Sequence, residues 1–285
     1  MIEILTSAIC IGNAESNSDE WHRLRMSGIG GSDVAKILGL SPWGGPIEVW
    51  NYKKYGAKKK ELTEPQEWGI RLEPVVLEKF QEIMPNLNII TTNNMYRHPV
   101  NRFLLANPDA LILDKNNIIS GVEIKTADKY SGEKFIDGIP NDYMLQIQLY
   151  MHVFDVKDWF IAYLIGGNNF NYQLIKRDDE LLNIIIPKLS DFWDHVESGL
   201  IPEPTFADEK AINNIFEPAF DEQAIYIDTD LTSDYKRYTV DIKEMAQKRK
   251  EVINSIKLSL AGNVSGYNEE YIITNKKRLV IKPKD

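Results

Sequence analysis

The sequence predicts an α/β protein in which a mostly antiparallel sheet is flanked by helices. Two pairs of β-branched or aromatic runs surround turn-forming residues at 114–117 and 166–169, a pattern typical of β-hairpins. Apolar residues recur at helical spacing over 67–80 and 141–154, which indicates helices that bury one face. The 285 residues, 43% of them hydrophobic, suffice for one large core plus an appendage, or for two modest domains.

Cap and turn signals place the elements in order along the chain. Ser18 is suited to cap a first helix, and Ser32 or Asp33 can cap a second helix after a glycine-rich turn. Downstream we expect helices over 47–55, 67–80 and 141–154, and strands over 103–113, 118–126, 159–165 and 170–176. A charged helix over 231–260 and a terminal hairpin over 267–281 should follow, so we expect a main domain, 1–206, and an appendage, 207–285.

Composition excludes several classes of protein. No apolar run approaches the roughly eighteen residues that span a bilayer, and the N-terminus lacks a signal-peptide pattern, so we expect a cytoplasmic protein. Cys10 is the only cysteine and the four histidines are scattered, which excludes an internal disulfide, a zinc site and a cysteine-held iron–sulfur cluster. The net charge of −9 argues against a surface that is basic throughout.

The first predicted hairpin carries two acidic residues and a lysine that can meet on one face. A hairpin centred near Asn116 places Asp109 opposite Glu123, with Cβ atoms about 5 Å apart, and Lys125 lies on the same face. Two carboxylates this close repel each other without a cation, and Mg²⁺ or Mn²⁺ prefers such oxygen ligands. These residues predict a metal-dependent site in which Lys125 orients or deprotonates water. The alternative is an ordinary hairpin with solvated polar residues.

Two further stretches have both a nucleic-acid interpretation and a plainer one. Arg25 and Ser32 flank three glycines before a helix whose free N–H groups suit a phosphate, although a plain helix cap is the simpler explanation. The lysine-rich segment 52–60 also contains two tyrosines, a pattern that can follow a phosphate backbone or stack on a base. A solvated, lysine-rich helix end explains this segment equally well.

Two predicted helices offer additional polar groups for the hairpin site. Glu73 lies beside the apolar stripe of its helix, where a third carboxylate can meet the hairpin, although an exposed glutamate is the alternative. Gln146 lies three residues after Tyr143 and can share its helix face. Its amide can hydrogen-bond a phosphate, a metal-bound water or Lys125, or can simply face solvent.

Five short motifs lie in series across about residues 18–204. They are Arg25 with Ser27 and Gly31-Ser32; Trp68-Gly69-x-x-x-Glu73; Asn107-Pro108-Asp109; Glu123-Ile124-Lys125; and Tyr143-x-x-Gln146-x-Gln148. In this order and spacing, the chain resembles the lambda-exonuclease and YqaJ-like viral recombinase family of the PD-(D/E)XK nuclease superfamily. The resemblance implies a restriction-endonuclease-like fold with a mixed central sheet, and a Mg²⁺-dependent alkaline exonuclease that in many members acts on double-stranded DNA ends.

The resemblance also implies roles for the catalytic candidates. It makes Asp109 and Glu123 ligands of Mg²⁺ or Mn²⁺, together with the Ile124 carbonyl and the helix-borne Glu73. Lys125 becomes the residue that activates or orients water. Gln146 becomes an accessory polar contact.

DNA contacts follow from the same resemblance. Arg25, with Ser27 or Ser32, matches the 5′-phosphate contacts of the family, and Asn107 and Tyr143 join them. Two departures put strict dependence on a 5′-phosphate in doubt. Asn107 replaces a phosphate-binding serine and Ser131 replaces a phosphate-binding arginine, for which Lys129 or Lys134 is a candidate substitute.

Together these features predict a metal-dependent 5′→3′ exodeoxyribonuclease of phage or prophage type in the bacterial cytoplasm. We expect linear duplex DNA as substrate, a homotrimer as the assembly and a single-strand annealing protein as a candidate partner. An endonuclease, or a Cas4-like processing nuclease without an iron–sulfur cluster, is the alternative enzyme, and an inactive DNA-binding module is the alternative without chemistry. The intact Asp/Glu/Lys set argues against the inactive module. The appendage could serve as an oligomer contact, a partner-docking arm or a DNA clamp, and its basic tail favours the clamp.

Overall fold

The protein was analysed as a computed structural model, which describes residues 6–56, 62–216, 225–276 and 279–283. The chain divides into two compact units, Met1–Pro218 and Ala219–Asp285. This division lies after the expected boundary at residue 206 because Asp208 belongs to the first unit. Its buried carboxylate accepts hydrogen bonds from the backbone N–H groups of Ile47 (3.0 Å) and Glu48 (3.3 Å).

The described helices of the first unit are α1 (Asp19–Arg25), α2 (Gly31–Ile37), α3 (Pro46–Tyr55), α4 (Glu64–Ile83), α5 (Asn141–Phe154), α6 (Asp179–Ser198) and α7 (Glu209–Ile215). Its described strands are β1 (Ile9–Asn13), β2 (Asn88–Thr91), β3 (Asn94–Arg97), β4 (Leu105–Ala106), β5 (Ala110–Asp114), β6 (Asn117–Ala127), β7 (Asp158–Ile165) and β8 (Asn169–Lys176). A short 3-10 helix, Ser131–Phe135, follows β6.

The central sheet is mixed and has the strand order β2-β5-β6-β7-β8. Its neighbouring strands are antiparallel except for β6 and β7, which are parallel. A parallel pair needs a crossover connection, and α5 provides it between the two strands. The fold class and the bounds of α5 therefore agree with the sequence prediction. A smaller sheet, β1-β3-β4, accompanies the central one.

The two faces of the central sheet pack against different helices. Val122 and Ile124 of β6 share a buried cluster with residues of α4. On the other face, Ile147 of α5 packs in a cluster that includes Trp159. Because side chains alternate along a strand, Glu123 lies between the two α4-facing residues and points towards α5. The alternation thus brings a carboxylate from the sheet into contact with a buried helix.

The structure departs from the prediction at several elements. The expected strand over 103–113 is two strands, β4 and β5, separated at Asn107, Pro108 and Asp109, since a proline has no N–H to donate to a ladder. Strands β1 to β3 were not predicted, because four or five residues carry little alternation. Helices α6 and α7 were also missed. No helix within the described ranges is long and apolar enough to cross a membrane.

The second unit consists of one long helix and a small sheet in its described part. Helix α8 covers Thr229–Leu260, and strands β9 (Ser265–Tyr267), β10 (Tyr271–Asn275) and β11 (Leu279–Pro283) form an antiparallel sheet in the order β11-β10-β9. The expected terminal hairpin corresponds to β10 and β11, to which β9 adds a third strand. Three basic residues of the predicted tail, Lys277, Arg278 and Lys284, lie outside the described residues.

Candidate active site

The hairpin of β5 and β6 brings the predicted acidic residues together. Ala110 pairs with Val122 in the antiparallel register, so Asp109, directly before β5, lies next to Glu123 on the neighbouring strand. The Asp109 Oδ2 atom accepts a hydrogen bond from the backbone N–H of Ile124 at 2.7 Å. The structure therefore has the register that the sequence predicts at this end of the hairpin.

Glu123 lies at the centre of the site. Its side chain is only 2% exposed, and its Oε1 atom accepts hydrogen bonds from Lys125 Nζ and from Gln146 Nε2, both at 2.5 Å. The Oε2 atom is buried and has no hydrogen-bond partner. Lys125 also lies over the ring of Tyr143, with Nζ 5.0 Å from the ring centroid. Five of the predicted site residues, Asp109, Glu123, Lys125, Gln146 and Tyr143, are thus adjacent.

Glu73 of α4 lines the same surface recess as Asp109. Burial and the neighbouring Glu123 carboxylate raise the pKa of Glu73. Burial, Glu123 and Glu73 together raise the pKa of Asp109 well above its ordinary value. Burial would lower the pKa of Lys125, but the carboxylates of Glu123 and Asp109 outweigh it and raise that pKa above its usual range. The Lys125 ammonium group is therefore the one positive charge named among three neighbouring carboxyl groups, those of Glu73, Asp109 and Glu123.

Two surface recesses meet at Glu73. A recess of about 450 Å³ is lined by Glu73, Asp109 and Asn107, and one of about 500 Å³ is lined by Glu73, Lys125 and Trp21. The carboxylates and the lysine can therefore be reached from the surface, although Glu123 itself is buried.

The donor set fits a hard divalent cation. Oxygen ligands from Asp and Glu suit Mg²⁺ or Mn²⁺, and the partnerless Oε2 of Glu123 is a buried acceptor that such an ion would satisfy. Among the described residues, however, no three His, Cys, Asp or Glu side chains already stand in metal-binding geometry. The three-carboxylate set expected from the sequence is thus not assembled as a ready cluster. Of the three carboxylates, Asp109 and Glu123 lie on neighbouring strands and come closest to forming such a site.

The glycine-rich turn forms a second, charged cluster around Arg25. Its Nη2 atom donates to Asp33 Oδ1 at 2.7 Å and to Ser32 Oγ at 3.1 Å, and its guanidinium lies 4.8 Å from the centroid of a Trp21 ring. The Nε atom of Arg25 is buried without a partner. Gly30 is the N-cap of α2, and Asp33 accepts from its N–H at 2.9 Å. A helix cap and a charged cluster therefore coexist in this turn.

Lys53 does not belong to an exposed basic patch, as one interpretation of segment 52–60 had it. Its side chain is fully buried, with Nζ 2.7 Å from Asp33 Oδ2 and 2.8 Å from the carbonyl oxygen of Arg25. Burial is the main cause that lowers the pKa of Lys53, to about 8, although Asp33 opposes the shift. Lys54 donates to the carbonyl of Val196 at 3.1 Å. Both lysines therefore have internal partners, and residues 58–60 of the predicted patch lie outside the described residues.

The remaining predicted DNA contacts already have partners within the protein. Ser27 Oγ accepts from Arg97 Nη2 at 2.8 Å. The side chain of Asn107 accepts from Trp21 Nε1 at 2.8 Å and donates to the backbone of Asn94 at 3.2 Å. Ser27 and Asn107 thus lie beside residues that the sequence analysis did not single out, Arg97 and Trp21.

Tyr150 is a site residue that sequence reasoning missed. Its hydroxyl donates to the carbonyl of Asn107 at 3.1 Å and accepts from Gln146 Nε2 at 3.1 Å. Burial, Glu123 and Asp109 raise its pKa well above the ordinary tyrosine value. The signal was present, because Tyr150 follows Gln146 by four residues on one helix face.

Gly31 connects the two clusters. A Cβ atom at this position would lie 2.5 Å from Gln146 Cγ and 2.8 Å from Tyr150 Cε1, so only a glycine permits α2 to approach α5 this closely. The charged turn and the carboxylate site are therefore packed against each other across one helix contact.

Two sequence comparisons relate the chain to known proteins. Residues 20–157 match the model of the YqaJ-like viral recombinase domain. The chain is 32% identical over 269 residues to the uncharacterized protein YqaJ of Bacillus subtilis (strain 168), a match that covers 91% of this chain and 83% of that protein.

Solved structures share the fold. The alkaline exonuclease LHK-Exo of Laribacter hongkongensis matches with a TM-score of 0.53 and 21% identity, covering 64% of this chain and 94% of that one. LHK-Exo in complex with dAMP matches with a TM-score of 0.54 and 20% identity, covering 69% of this chain and 100% of that one. By its similarity to YqaJ over most of both chains, the protein belongs to the YqaJ-like viral recombinase family.

Proposed function

We propose that the protein is a Mg²⁺-dependent exonuclease that hydrolyses phosphodiester bonds at the ends of linear duplex DNA in the 5′→3′ direction. The observation that carries the proposal is the buried Glu123 carboxylate beside Asp109. One Glu123 oxygen is held by Lys125 and Gln146, and the other has no hydrogen-bond partner. Membership of a viral recombinase family, and a fold shared with an alkaline exonuclease, support a nuclease that acts on DNA.

The proposed roles follow from the contacts of each residue. Asp109 and Glu123 would hold Mg²⁺, or Mn²⁺ in its place, with Glu73 and the Ile124 carbonyl completing the ligand set. Such an ion supplies charge neutralisation at the scissile phosphate and makes a bound water more acidic. Lys125 would orient or deprotonate the attacking water, and its ammonium group is held in place by Glu123 and the Tyr143 ring.

Gln146 acts by positioning Glu123. Its amide nitrogen donates to Glu123 Oε1 and to the Tyr150 hydroxyl, so the carboxylate is held from the helix as well as from the strand. Both oxygens of a buried carboxylate need partners, and Gln146 supplies one that carries no charge. The second Glu123 oxygen is therefore kept for a cation.

The charged turn supports recognition of a terminal 5′-phosphate by Arg25, with Ser27, Ser32, Asn107 and Tyr143 around it. The Arg25 side chain is 18% exposed, so part of its guanidinium group stays accessible although Nη2 contacts Asp33 and Ser32. A guanidinium group in this position can donate to a phosphate oxygen. Replacing Arg25 by Gln should slow digestion of 5′-phosphorylated ends far more than digestion of 5′-hydroxyl ends. Equal slowing on both substrates would indicate a general backbone contact.

Digestion of linear and circular duplex DNA tests the reaction class directly. The purified protein should release nucleotides from linear duplexes when Mg²⁺ or Mn²⁺ is present, and chelation by EDTA should stop the release. Closed circles should remain intact. Nicking of circles would instead identify an endonuclease or a Cas4-like processing enzyme, and binding of both substrates without cleavage would identify an inactive module. Labelling either the 5′ or the 3′ end of the linear duplex then reports the polarity.

The biological setting belongs to the same proposal. A phage or prophage enzyme of this kind works in the cytoplasm of the bacterial host, where linear DNA ends arise during recombination. A homotrimer that encircles the duplex would let the enzyme stay on its substrate, and a single-strand annealing protein would receive the exposed strand. Co-purification with an annealing protein and the mass of the assembly in solution test these two points separately.

A further inference from the structure

A mostly apolar and largely exposed stripe, interrupted by Arg249, runs along α8. Its residues alternate in spacings of four and three, the heptad pattern of a coiled coil in which positions a and d face a partner helix. We call these residues the heptad stripe: Leu231, Tyr235, Tyr238, Ile242, Met245, Arg249, Val252 and Ile256. At about 1.5 Å per residue the stripe is roughly 40 Å long.

The stripe is too apolar and too regular for an ordinary solvated helix face. Tyr235 is 75% exposed, Ile242 70% and Met245 63%. The other sides of the helix are dominated by charged residues, some of them paired along the helix, as Lys248 is with Glu244 at 2.7 Å. A narrow apolar seam with charged flanks marks a helix that buries the seam against another helix.

We infer that the partner is α8 of a second copy of this chain, packed antiparallel. Arg249 decides the direction, because it occupies an a position in the middle of the C-terminal half of the stripe. A parallel pair in register would set Arg249 against Arg249 of the second copy, which places like charges together in the seam. An antiparallel pair places a against d instead. This inference concerns the second unit alone and does not rest on the proposed nuclease activity.

One antiparallel register uses the whole stripe. It sets Leu231 against Ile256, Tyr235 against Val252, Tyr238 against Arg249 and Ile242 against Met245, each layer occurring twice by symmetry. In this register every stripe residue has a partner, and the Arg249 guanidinium meets the Tyr238 ring, a favourable cation–π arrangement. Registers shifted by one heptad leave one end of the stripe unpaired.

The flanking charges fit the same register. Asp241 and Lys248 occupy g positions, which flank each other in an antiparallel pair. The register brings Asp241 of one copy beside Lys248 of the other, and symmetry forms this contact twice. Lys248 also has Glu244 on its own helix, so the result is a small charge network at the edge of the seam.

A groove at the C-terminal end of α8 fits the N-terminal end of the partner helix. It has a volume of about 570 Å³, and its lining includes Val252, Ile256, Tyr267 and Ile273. The register places Leu231 and Tyr235 of the second copy over this groove. The small sheet after α8 would thus extend the apolar surface available to the end of the partner helix.

The contact area is sufficient for a specific interface. Six stripe residues are more than half exposed, and at roughly 100 Å² each the two copies together would bury about 1,200 Å². A pair of this kind adds a two-fold contact to whatever assembly the nuclease units form. If those units form a trimer, α8 pairing would join two trimers into a hexamer.

Cysteine cross-linking in the full-length protein tests the direction and the register. In a Cys10→Ser background, I242C and M245C chains are oxidised separately and as a mixture. The antiparallel register places residue 242 of one chain against residue 245 of the other, so the mixture should give a disulfide-linked dimer and each variant alone should give little. Efficient dimers from I242C alone or M245C alone would overturn the antiparallel arrangement.

The mass of the assembly tests the pairing itself, with a matched control on the same helix. Ile242→Asp should halve the mass measured by light scattering, because each of the two central layers would then bury one carboxylate against Met245 of the other copy. Val240→Asp places the same residue on the same helix outside the stripe, where Val240 is 58% exposed, and should leave the mass unchanged. Equal masses for wild type and both variants, together with no cross-linking in the mixture, would overturn the proposal.

Discussion

At the scale of single residues, Glu123 combines burial with an incomplete set of hydrogen bonds. Two donors hold Oε1, whereas Oε2 is buried without a partner. An unsatisfied buried acceptor costs about 1–3 kcal/mol, and more for a charged group, so its presence in the centre of the site calls for a compensating ligand. A divalent cation shared with Asp109 would supply that compensation. The partnerless Glu123 oxygen thus accounts both for the energetic cost of the site and for its proposed affinity for a metal ion.

His152 gives a residue-scale prediction of pH dependence. Its ring stacks on His98, with centroids 4.5 Å apart. Burial, and next the neighbouring His98, lower the pKa of His152 to about 4 from 6.5. The unfolded chain therefore binds more protons than the folded chain between these values, and the free energy of unfolding should fall as the pH drops through that window. We expect a decrease of about 1–2 kcal/mol, since solvent partly screens the ring.

Urea unfolding at a series of pH values checks this prediction. The variant His152→Gln should lose stability less steeply between pH 6.5 and pH 4 than wild type. Parallel curves for both proteins across this range would show that the stacked histidines do not contribute to acid sensitivity.

At the scale of elements, the contact between α2 and α5 positions Gln146, the residue of α5 that holds Glu123. A methyl group on Gly31 would collide with Gln146 and Tyr150, and overpacking of this kind costs about 1–3 kcal/mol. Gly31→Ala should therefore lower the thermal midpoint and also slow hydrolysis, because Gln146 would be displaced from Glu123. Thermal unfolding and nucleotide release together measure both effects.

Gly69→Ala is the matched control for stability. Gly69 lies within α4, and an added Cβ would meet only Thr126 Oγ1 at 3.5 Å, an ordinary contact. Alanine is the better helix former by about 1 kcal/mol, so this variant should be as stable as wild type or more stable. If Gly31→Ala were equally well tolerated, α2 would not be fixed by close packing on α5.

The elements also show how far the sequence determines the site. The sequence predicts a hairpin centred at residue 116. In the structure Asp114 pairs with Asn117, so the centre of the turn lies half a residue before that position. A bulge at Ile119 removes the offset, so Ala110 still pairs with Val122 and the carboxylates still meet. Alternation and turn residues can therefore predict the pairing of the two strands, but not the bulge that adjusts it.

Other features depend on interactions between distant segments and could not be found in this way. The segment around Lys53 has the composition of a surface patch, yet Lys53 is buried because Asp33, twenty residues earlier, neutralises it. Tyr150 reaches Asn107 only because α5 crosses between two parallel strands. The local pattern predicts that Asp109, Glu123 and Lys125 lie together, whereas the residues that orient them follow from the packing of α2 and α5.

At the scale of the whole molecule, the boundary between the two units determines which truncation is informative. Asp208 accepts backbone hydrogen bonds at the start of α3, and its second oxygen accepts from Thr205 N and Oγ1 at 2.8 and 2.9 Å. A chain that ends at Phe206 lacks this buried carboxylate and should unfold more easily, by about 2–3 kcal/mol. A chain that ends at Phe216 keeps it.

The Phe216 truncation should therefore separate chemistry from assembly. We expect it to remain folded and to hydrolyse short duplexes at a rate close to that of the full chain. Processivity on long duplexes should fall, and the log–log salt dependence of binding should become shallower by about one unit for each phosphate that the shortened protein no longer neutralises. Complete inactivity on short duplexes, with the fold intact, would mean that the second unit completes the active site.

The most direct test of the catalytic site is the rate of nucleotide release from linear duplex DNA with Mg²⁺, compared for wild type, Glu123→Gln and Glu78→Gln. Glu78 is an exposed carboxylate on α4 and serves as the matched control. Glu123→Gln keeps the size of the side chain but removes the charge, so its rate should fall at least about 100-fold while the thermal midpoint stays near that of wild type. Glu78→Gln should hydrolyse DNA at the wild-type rate. Near-normal turnover by a folded Glu123→Gln protein would contradict the assignment of this hairpin as the catalytic centre.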